Sequence, residues 1–448
     1  MNWSALPDLF AVVLLVFAFA SVERRGRSPI STLWLTGWVL IALHFFSAFY
    51  GSLQGLAGDL AAFASILTLA CAGVLFSFAS VPYRKEPSTQ WMLISLLISH
   101  IVYLGVLSFA PAANWALEPA AMLYGGLPLT ITLLSYRRFH HPLRWMMVSL
   151  YLALSIFLIA VERRPNVGID LALNGVLFAV YFGCCMHFCF SYRRGTAGAF
   201  ISIVGFLAWA SVFVVAPVVG FVFPSLQIES EVWNLPKFVV AVGMLLLLLE
   251  DQIEHNKYLA LHDDLTGLPN RRLFQDRLTT ALERARRSGA RVALLVVDLD
   301  RFKQVNDALG HHVGDILLRQ VGTIFTDRVR HSDTVARTGG DEFSLILEDT
   351  QSVADAEGVA HSLMQQLNEP MRLENRLFRV GASIGVAMFP ADGTDLETLC
   401  IAADLRMYRQ KQDTRGPRRD RQSIPFETLM PLERRLKPSV VDMRDLRG

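Results

Sequence analysis

The sequence predicts an N-terminal all-α membrane domain of several passes, followed by a C-terminal α/β domain. Three observations support this division. The 448 residues are 52% hydrophobic, which is too apolar for a soluble protein of ordinary composition. Residues 1–250 hold only 13 of the 42 Lys and Arg and 10 of the 40 Asp and Glu, so charge is concentrated in the second part. That second part alternates strand and helix patterns, which is typical of an α/β fold.

The first part contains a series of apolar segments, each close to the roughly 20 residues that a helix needs to cross a bilayer. We place nine of them, at 7–22, 31–51, 59–80, 90–110, 118–136, 145–161, 170–192, 199–223 and 233–250. The N-terminus has no Lys or Arg before its apolar run, so we expect a retained helix and not a cleaved signal peptide. Residues 1–250 are therefore predicted to form a polytopic sensor or anchor domain in the lipid bilayer.

Basic residues predict how this domain is oriented. Arg and Lys cluster after the first, third, fifth and seventh segments. Cytoplasmic loops are the ones that accumulate these residues. The pattern puts the N-terminus outside and the C-terminal domain in the cytoplasm, as expected for a multi-pass protein of the inner (cytoplasmic) membrane. Arg163 and Arg164 lie on the opposite side in this scheme.

A short run near the end of the seventh segment combines one histidine with three cysteines. Its members are Cys184, Cys185, His187 and Cys189. Such residues can bind metal or sense redox state. The C-C-x-H-x-C spacing is not a standard ligand pattern, and helix packing by small polarisable side chains is the alternative.

The last apolar segment continues into charged sequence without a Gly or Pro before Gly267. Residues 251–268 are therefore predicted to form a helical stalk and an entry motif. Leu249, Ile253 and Asn256 follow the 3–4 spacing of a short dimer seam. The stalk is expected to support a homodimer.

Residues 269–416 are predicted to form the α/β domain. A continuous apolar run, Val292–Val297, ends at Asp298 and indicates a strand covered on both faces. Strands at 334–337 and 343–347 flank Gly339-Gly340, a hairpin signal. Helices are expected at 270–287, 313–329, 353–367 and 396–412, and a further strand at 378–388. Residues 417–448, which are basic and contain four prolines, are expected to form a disordered tail.

Two acidic clusters in this domain have the composition of a metal and phosphate site. Asp298 ends a buried strand, whereas Asp341 and Glu342 follow the Gly339-Gly340 turn. If the strands are neighbours, these carboxylates can reach one or two Mg²⁺ ions, which prefer few carboxylates together with substrate phosphates. Glycines at the turn leave the backbone open to a triphosphate. Taken alone, a Gly-Gly-acid-acid string is more often only a polar turn.

Further motifs accompany these clusters. They are Asp264–Arg271, Asp298–Asp307, Gly310–Asp315, Gly339–Phe343, and Ala403, Asp404, Tyr408, Lys411 and Arg415 in the last helix. Their order and spacing over residues 255–416 resemble the GGDEF domain, the catalytic domain of diguanylate cyclases, whose fold has a palm-like central sheet similar to that of nucleotidyl cyclases. Gln410, Thr414 and Gly416 depart from the common pattern and affect the expected phosphate contacts.

The resemblance implies a reaction in which two GTP molecules are joined into cyclic di-GMP and two pyrophosphates leave. Each domain holds one GTP, so two domains must face each other in a homodimer. Two Mg²⁺ (or Mn²⁺) ions per active site are implied, held by Asp298, the Leu299 carbonyl and Asp341. The implied catalytic residues are Asp341, Glu342 and Lys303. The implied substrate-binding residues are Asn306, Asp315, Gly339, Gly340, Lys411 and Arg415.

Arg330 and Asp333 form an R-x-x-D sequence that ends five residues before Gly339. The resemblance implies that this is an inhibitory site for the product, so that cyclic di-GMP limits its own synthesis. A solvent-facing pair near a helix end is the alternative.

Two other functions deserve comparison with a membrane-bound diguanylate cyclase. A non-catalytic receptor for cyclic di-GMP tends to have lost its metal-binding acids, and here every such position is acidic. A transporter with a regulatory domain is not favoured, because the first 250 residues show no clear internal repeat. The net charge of +2 gives no argument for nucleic-acid binding. Only a tail follows Gly416, so no phosphodiesterase domain is expected.

Overall fold

The computed structural model describes residues 3–25, 29–80, 86–111, 113–135, 142–163, 169–192, 195–225, 230–373 and 376–415. The chain forms two compact units, Met1–Glu254 and His255–Gly448. The predicted tail at 417–448, and the basic pairs at 84–85, 137–138 and 193–194, lie outside the described residues.

The described part of the first unit contains nine helices that are long and apolar enough to cross a membrane, as predicted. They are α1 (Leu6–Arg25), α2 (Pro29–Tyr50), α3 (Leu56–Ala79), α4 (Pro87–Phe109), α5 (Asn114–Leu134), α6 (Pro142–Glu162), α7 (Ile169–Ser191), α8 (Ala197–Val222) and α9 (Ser230–Leu261). The helix α9 includes both the last apolar segment and the first part of the predicted stalk. A helix satisfies its own backbone hydrogen bonds, which is why it can cross lipid.

Aromatic side chains form much of the interior of the helical unit. The rings of Tyr181 and Trp209 stack with centroids 3.9 Å apart, and those of Phe19 and Trp38 lie 5.6 Å apart. The Tyr181 hydroxyl donates to the Leu69 carbonyl across 2.9 Å. Buried aromatic pairs add to packing, and a buried hydroxyl needs such a partner.

The second unit is an α/β domain. Its elements after α9 are α10 (Arg271–Ser288), β1 (Val292–Leu299), α11 (Phe302–Leu309), α12 (His311–Arg328), β2 (Thr334–Arg337), β3 (Glu342–Leu347), α13 (Val353–Asn368), β4 (Met371–Leu373), β5 (Arg376–Phe378), β6 (Ala382–Phe389) and α14 (Leu396–Arg415). Four strands form an antiparallel sheet in the order β2-β3-β1-β6, and β4 and β5 form a separate two-stranded sheet.

The central strand β1 is buried along its whole length and contributes to two hydrophobic cores. Leu295 and Val297 pack in the core shared with α12 and α13. Leu294 and Val296 pack in the core shared with α10 and α14. Helices thus cover both faces of the sheet, which explains why the run is continuously apolar and does not alternate with polar residues.

The structure departs from the sequence prediction in the last part of the sheet. The single strand expected at 378–388 is divided between β5 and β6, because residues 379–381 leave the strand conformation. There Gly381 lies against Asp300: a Cβ on this glycine would stand 2.9 Å from the Asp300 carboxylate. The helix α11 and the β4–β5 pair were also not predicted.

An ion pair joins the entry motif to the end of β2. The Arg337 Nη1 donates to both carboxylate oxygens of Asp263, at 2.9 and 3.0 Å. Thr266 donates to the same carboxylate through its backbone nitrogen and its hydroxyl. Partial burial opposes ionisation of Asp263, but the hydrogen bonds from Thr266 and Arg337 outweigh it and hold the pKa of this carboxyl below its usual value.

Replacing Asp263 with Asn is expected to destabilise the C-terminal unit at neutral pH. The native pKa of Asp263 is depressed, so its contribution is complete above the unfolded-state value of about 3.9. It is lost as the pH falls through the lower native value. Breaking charge-assisted hydrogen bonds of this kind costs about 1–3 kcal/mol. Urea unfolding of residues 255–448 at pH 7 and in acid would measure the difference from wild type.

Asp327 at the exposed end of α12 provides the matched control. Asp327→Asn should change the free energy of unfolding by much less than Asp263→Asn at pH 7. Equal effects of the two substitutions, or a penalty for Asp263→Asn that stays the same in strong acid, would contradict the role of the ion pair.

Candidate active site at the end of the sheet

The register between β1 and β3 brings the two predicted acidic clusters together. Asp298 lies opposite Glu342 in the antiparallel pair. One residue further, the Leu299 nitrogen donates to the Asp341 carbonyl across 3.2 Å. Asp298, Leu299, Asp341 and Glu342 therefore meet at one end of the sheet, although 41 residues lie between Leu299 and Asp341 in the chain.

The buried acid of this group has a basic partner from the last helix. Asp298 is only 6% exposed, and Lys411 Nζ donates to its Oδ1 across 2.6 Å. A buried carboxylate needs such a compensating charge. The ammonium group shows that positive charge is accommodated directly beside Asp298.

The pKa of Glu342 reflects the electrostatics of the same cluster. Partial burial, and then the nearby carboxylates of Asp298, Asp341 and Asp404, raise the pKa of Glu342 above its usual value, while Lys411 acts against them. The negative charge of these carboxylates is thus only partly offset by the positive charge of Lys411. A site of this kind favours an added cation.

The Gly339-Gly340 turn is held open at the edge of the cluster. A Cβ on Gly339 would stand 2.6 Å from the Glu342 carboxylate, so a larger residue would displace that acid. Gly340 has open space where a side chain would be, which leaves its backbone accessible. Arg337, which also binds Asp263, donates to the Gly340 carbonyl across 2.7 Å. The ion pair of the entry motif therefore also positions the glycine turn.

The segment after β1 is tied to the neighbouring strand. Asp300 accepts a hydrogen bond from the Ser383 hydroxyl at 3.0 Å, and its backbone nitrogen donates to the Gly381 carbonyl at 2.8 Å. Arg301 then adopts a left-handed conformation with φ 59°, which is uncommon for a residue with a side chain. This turn starts α11, which carries Lys303 and Asn306.

Asn306 lies against Gly314, the residue before Asp315 in α12. A Cβ on Gly314 would stand only 1.9 Å from Asn306 Oδ1, so the glycine permits the close approach of the two segments. The buried Asn306 Oδ1 has no hydrogen-bond partner among the described residues. Asp315 follows directly in α12 and is half-buried. The two side chains therefore come from adjoining parts of α11 and α12.

The other two predicted site residues, Lys303 and Arg415, have no described contact with the acidic cluster. Lys303 is exposed in the first turn of α11 and forms no hydrogen bond or ion pair with the described part of the chain. Arg415 ends α14, four residues after Lys411, and its side chain lies outside what the structure describes.

The acidic cluster fits a divalent cation that takes part of its ligands from a substrate. Within the described ranges, no group of three or more His, Cys, Asp and Glu side chains could hold a metal ion. The buried carboxylate of Asp298, the excess of negative charge around Glu342 and the open Gly340 backbone instead match Mg²⁺, which binds one or two carboxylates with substrate phosphates. Asp298, Asp341 and the Leu299 carbonyl would hold it.

Arg330 and Asp333 lie at the other end of β2, apart from the acidic cluster. The Asp333 carboxylate accepts from the backbone nitrogens of Arg330 and Glu348, at 2.9 and 3.1 Å. An open cavity of about 760 Å³ adjoins them, and Arg277 and Arg284 of α10 also line it. The cavity thus contains three guanidinium groups.

Several residues of the site were not found by sequence reasoning. Arg337 and Asp300 act through contacts to segments far along the chain, and no local pattern marks those contacts. Gln410 was noted only as a departure from a common pattern. Its side-chain oxygen accepts from the Ile384 nitrogen at 2.6 Å, which fixes α14 on β6 one residue before Lys411.

Comparison with known proteins agrees with this geometry. A family model described as "Diguanylate cyclase, GGDEF domain" matches residues 260–417. MucR of Pseudomonas aeruginosa, a bifunctional diguanylate cyclase/cyclic di-GMP phosphodiesterase, is 47% identical over 158 residues, which are 35% of this chain and 23% of MucR. The diguanylate cyclase TpbB of the same organism is 38% identical over 172 residues, covering 38% of this chain and 40% of TpbB.

The chain therefore spans less than half the length of either relative. A solved structure of a truncated TpbB from Pseudomonas aeruginosa that comprises only the GGDEF domain is 38% identical, with a TM-score of 0.33, and the alignment covers 34% of this chain and 89% of that one. The family match, together with the motif residues gathered at the end of the sheet, identifies residues 260–417 as a GGDEF domain. It follows a region whose described part contains nine helices apolar and long enough to span a membrane.

Proposed function

We propose that this protein is a membrane-bound diguanylate cyclase that condenses two GTP molecules into cyclic di-GMP and releases two pyrophosphates. The observation that carries the proposal is the register of β1 on β3, which places Asp298, Asp341 and Glu342 beside the open Gly339-Gly340 turn. The similarity to MucR and TpbB, both described as diguanylate cyclases, supports it.

The reaction needs positioning and charge stabilisation more than covalent chemistry. The 3′ oxygen of one GTP forms a bond to the α-phosphorus of the other, the bond to pyrophosphate breaks, and the hydroxyl proton leaves. Two Mg²⁺ or Mn²⁺ ions bound at Asp298, Asp341 and the Leu299 carbonyl would neutralise the phosphate charge. Glu342 has a raised pKa, which suits a group that assists at the acidic cluster or accepts the hydroxyl proton.

Other side chains bind and orient the substrate. The unpartnered Asn306 Oδ1 and the neighbouring Asp315 carboxylate are acceptors, and the edge of guanine offers adjacent N–H donors. The exposed ammonium of Lys303 and that of Lys411 suit phosphate oxygens. Lys411 would exchange its contact with Asp298 for a phosphate once a cation is bound.

Each domain provides one such site, so the proposed reaction requires two copies of the chain with their sites facing. This makes a homodimer the active form, and holding the sites apart would stop the reaction without altering any ligand. The nine apolar helices found among the described residues suit an anchor in the inner membrane, with the GGDEF domain in the cytoplasm as the alternating basic loops predict.

Replacing Asp341 with Ala is expected to lower cyclic di-GMP synthesis by roughly 100-fold or more, because a preorganised charge at the reacting phosphates is lost. The full-length protein in detergent micelles would be supplied with GTP and Mg²⁺, and the product separated by chromatography and quantified. Asp327→Ala, at an exposed position on α12, is the matched control and should retain activity.

The proposal fails if Asp341→Ala makes the product at the wild-type rate. It also fails if the wild-type protein is inert after its dimerisation has been enforced by cross-linking. Binding of cyclic di-GMP without any turnover of GTP would favour a receptor function instead.

We further propose that the cavity beside Arg330 and Asp333 binds the product and inhibits the enzyme. Cyclic di-GMP carries two phosphates and two guanines. The cavity offers guanidinium groups from Arg330, Arg277 and Arg284 for the phosphates, and the Asp333 carboxylate as an acceptor. Its volume of about 760 Å³ is ample for a ligand of this size.

Replacing Arg330 with Ala should raise the concentration of cyclic di-GMP needed for half-inhibition by roughly 10- to 100-fold, as expected from losing a charge-assisted hydrogen bond. Progress curves with added product would measure it. Arg328→Ala is the matched control, since Arg328 lies two residues away and bonds to Gln366 instead of lining this cavity. Unchanged inhibition in Arg330→Ala would refute the role of the cavity.

A further inference from the structure

A small cavity lies inside the helical unit, between α3, α4, α6 and α7. Its volume is about 50 Å³, and its walls are mostly apolar. Met92 from α4, Met147 from α6 and His187 from α7 all line it. One water molecule needs about 10–15 Å³ of such volume, so the space suits a single small ligand or ion.

The hydrogen bonding of His187 suits a metal ligand. Its side chain is only 6% exposed, and its Nδ1 lies 2.9 Å from the Gly183 carbonyl. A carbonyl only accepts, so Nδ1 carries the proton and Nε2 keeps its lone pair. No described residue is a hydrogen-bond partner of Nε2. Metal-binding histidines commonly donate their second ring nitrogen to a backbone carbonyl in this way, which fixes the tautomer and the ring orientation.

Met147 of α6 packs against the same turn of α7, at Gly183. A Cβ on Gly183 would stand 3.0 Å from Met147 Cε and 3.9 Å from its sulfur, so the glycine leaves the space that the thioether occupies. Gly183 thus leaves room for the Met147 side chain, and its carbonyl accepts the hydrogen bond that orients the His187 ring. Met92 contributes a second thioether from α4. Three helices therefore contribute Met92, Met147 and His187 to the lining of one small cavity.

The chemistry of these groups selects one class of ion. Thioether sulfur favours Cu(I), and imidazole also binds copper, whereas Mg²⁺, Ca²⁺ and Mn²⁺ favour oxygen ligands. The residues that line the cavity include no carboxylate. All three candidate ligands are neutral, and a singly charged ion costs less to bury among apolar walls than a doubly charged one.

The cysteines close to His187 in the sequence do not line this cavity. The Cys184 thiol donates to the Gly73 carbonyl at 3.1 Å and contacts the Ser77 hydroxyl. Cys189 is exposed. Cys185 precedes it by four residues in α7, so the two cysteines lie on the same face of the helix. None of the three cysteines lines the cavity with His187, although Cys184 contacts Ser77, which does.

We propose that this cavity is a Cu(I) site in which His187 Nε2 and the sulfurs of Met92 and Met147 are the ligands. The site lies entirely within the first unit, so it does not depend on the proposed cyclase activity and can be tested without it. It would give the membrane domain a ligand of its own.

The test uses the full-length protein in detergent micelles without oxygen. Cu(I) is presented as its complex with the coloured chelator bicinchoninate, and the copper transferred to the protein is measured. Wild type is expected to retain about one Cu(I) per chain, as one three-ligand site would. Met147→Leu, Met92→Leu and His187→Leu should each weaken binding at least tenfold, and X-ray absorption should show sulfur and nitrogen neighbours.

Two controls make the outcome decisive. Met122→Leu removes a thioether that is 53% exposed on α5 and should bind copper like wild type. The double variant Cys185→Ser, Cys189→Ser should also retain copper. Methionine-to-leucine changes keep the side-chain volume, so these variants are expected to fold even if His187→Leu does not.

The proposal is overturned if wild type takes no copper from the chelator. It is equally overturned if the methionine variants bind as wild type does, or if only the cysteine variant loses the ion.

Discussion

The active-site geometry depends on the antiparallel register between β1 and β3. Because Asp298 pairs with Glu342, two acidic segments that are far apart in the chain share one sheet end. A shift of one residue would turn every side chain of β1 to the opposite face. The two hydrophobic cores on either side of β1 prevent such a shift, since each accepts alternate residues of the strand. Packing of the interior therefore fixes the position of the charges at the sheet end.

Those charges are only partly balanced within the domain. Lys411 pairs with the buried Asp298, while partial burial and then the carboxylates that remain around Glu342 raise the pKa of that residue. The neighbouring turn is held by Arg337, which binds both Asp263 and the Gly340 carbonyl. Excess negative charge next to an exposed glycine backbone is the condition under which a cation and a phosphate chain are bound together. The fold thus fixes the positions of the carboxylates, and in the proposed function a bound cation would supply the positive charge that Lys411 alone does not.

Local sequence patterns predicted the elements whose formation depends on local forces. Nine apolar helices, the strand before Asp298 and the hairpin at Gly339 were all predicted from hydropathy and turn residues. All of them are found in the part of the chain that the structure describes. The contacts of Arg337 and Asp300 could not be predicted, because each joins segments that are more than 70 residues apart. The division of the last strand at Gly381 also depends on such a contact. The methionines that line a cavity together with His187 come from two other helices, and spacing within α7 could not have indicated them.

A crystal structure of the second unit with Mn²⁺ and a non-hydrolysable GTP analogue would test the central claim most directly. Mn²⁺ can be located by its anomalous scattering. The account predicts manganese bound by the carboxylates of Asp298 and Asp341 and by phosphate oxygens, with the phosphates over the Gly339-Gly340 backbone. Manganese at another place on the domain, or with no ligand from either aspartate, would contradict it.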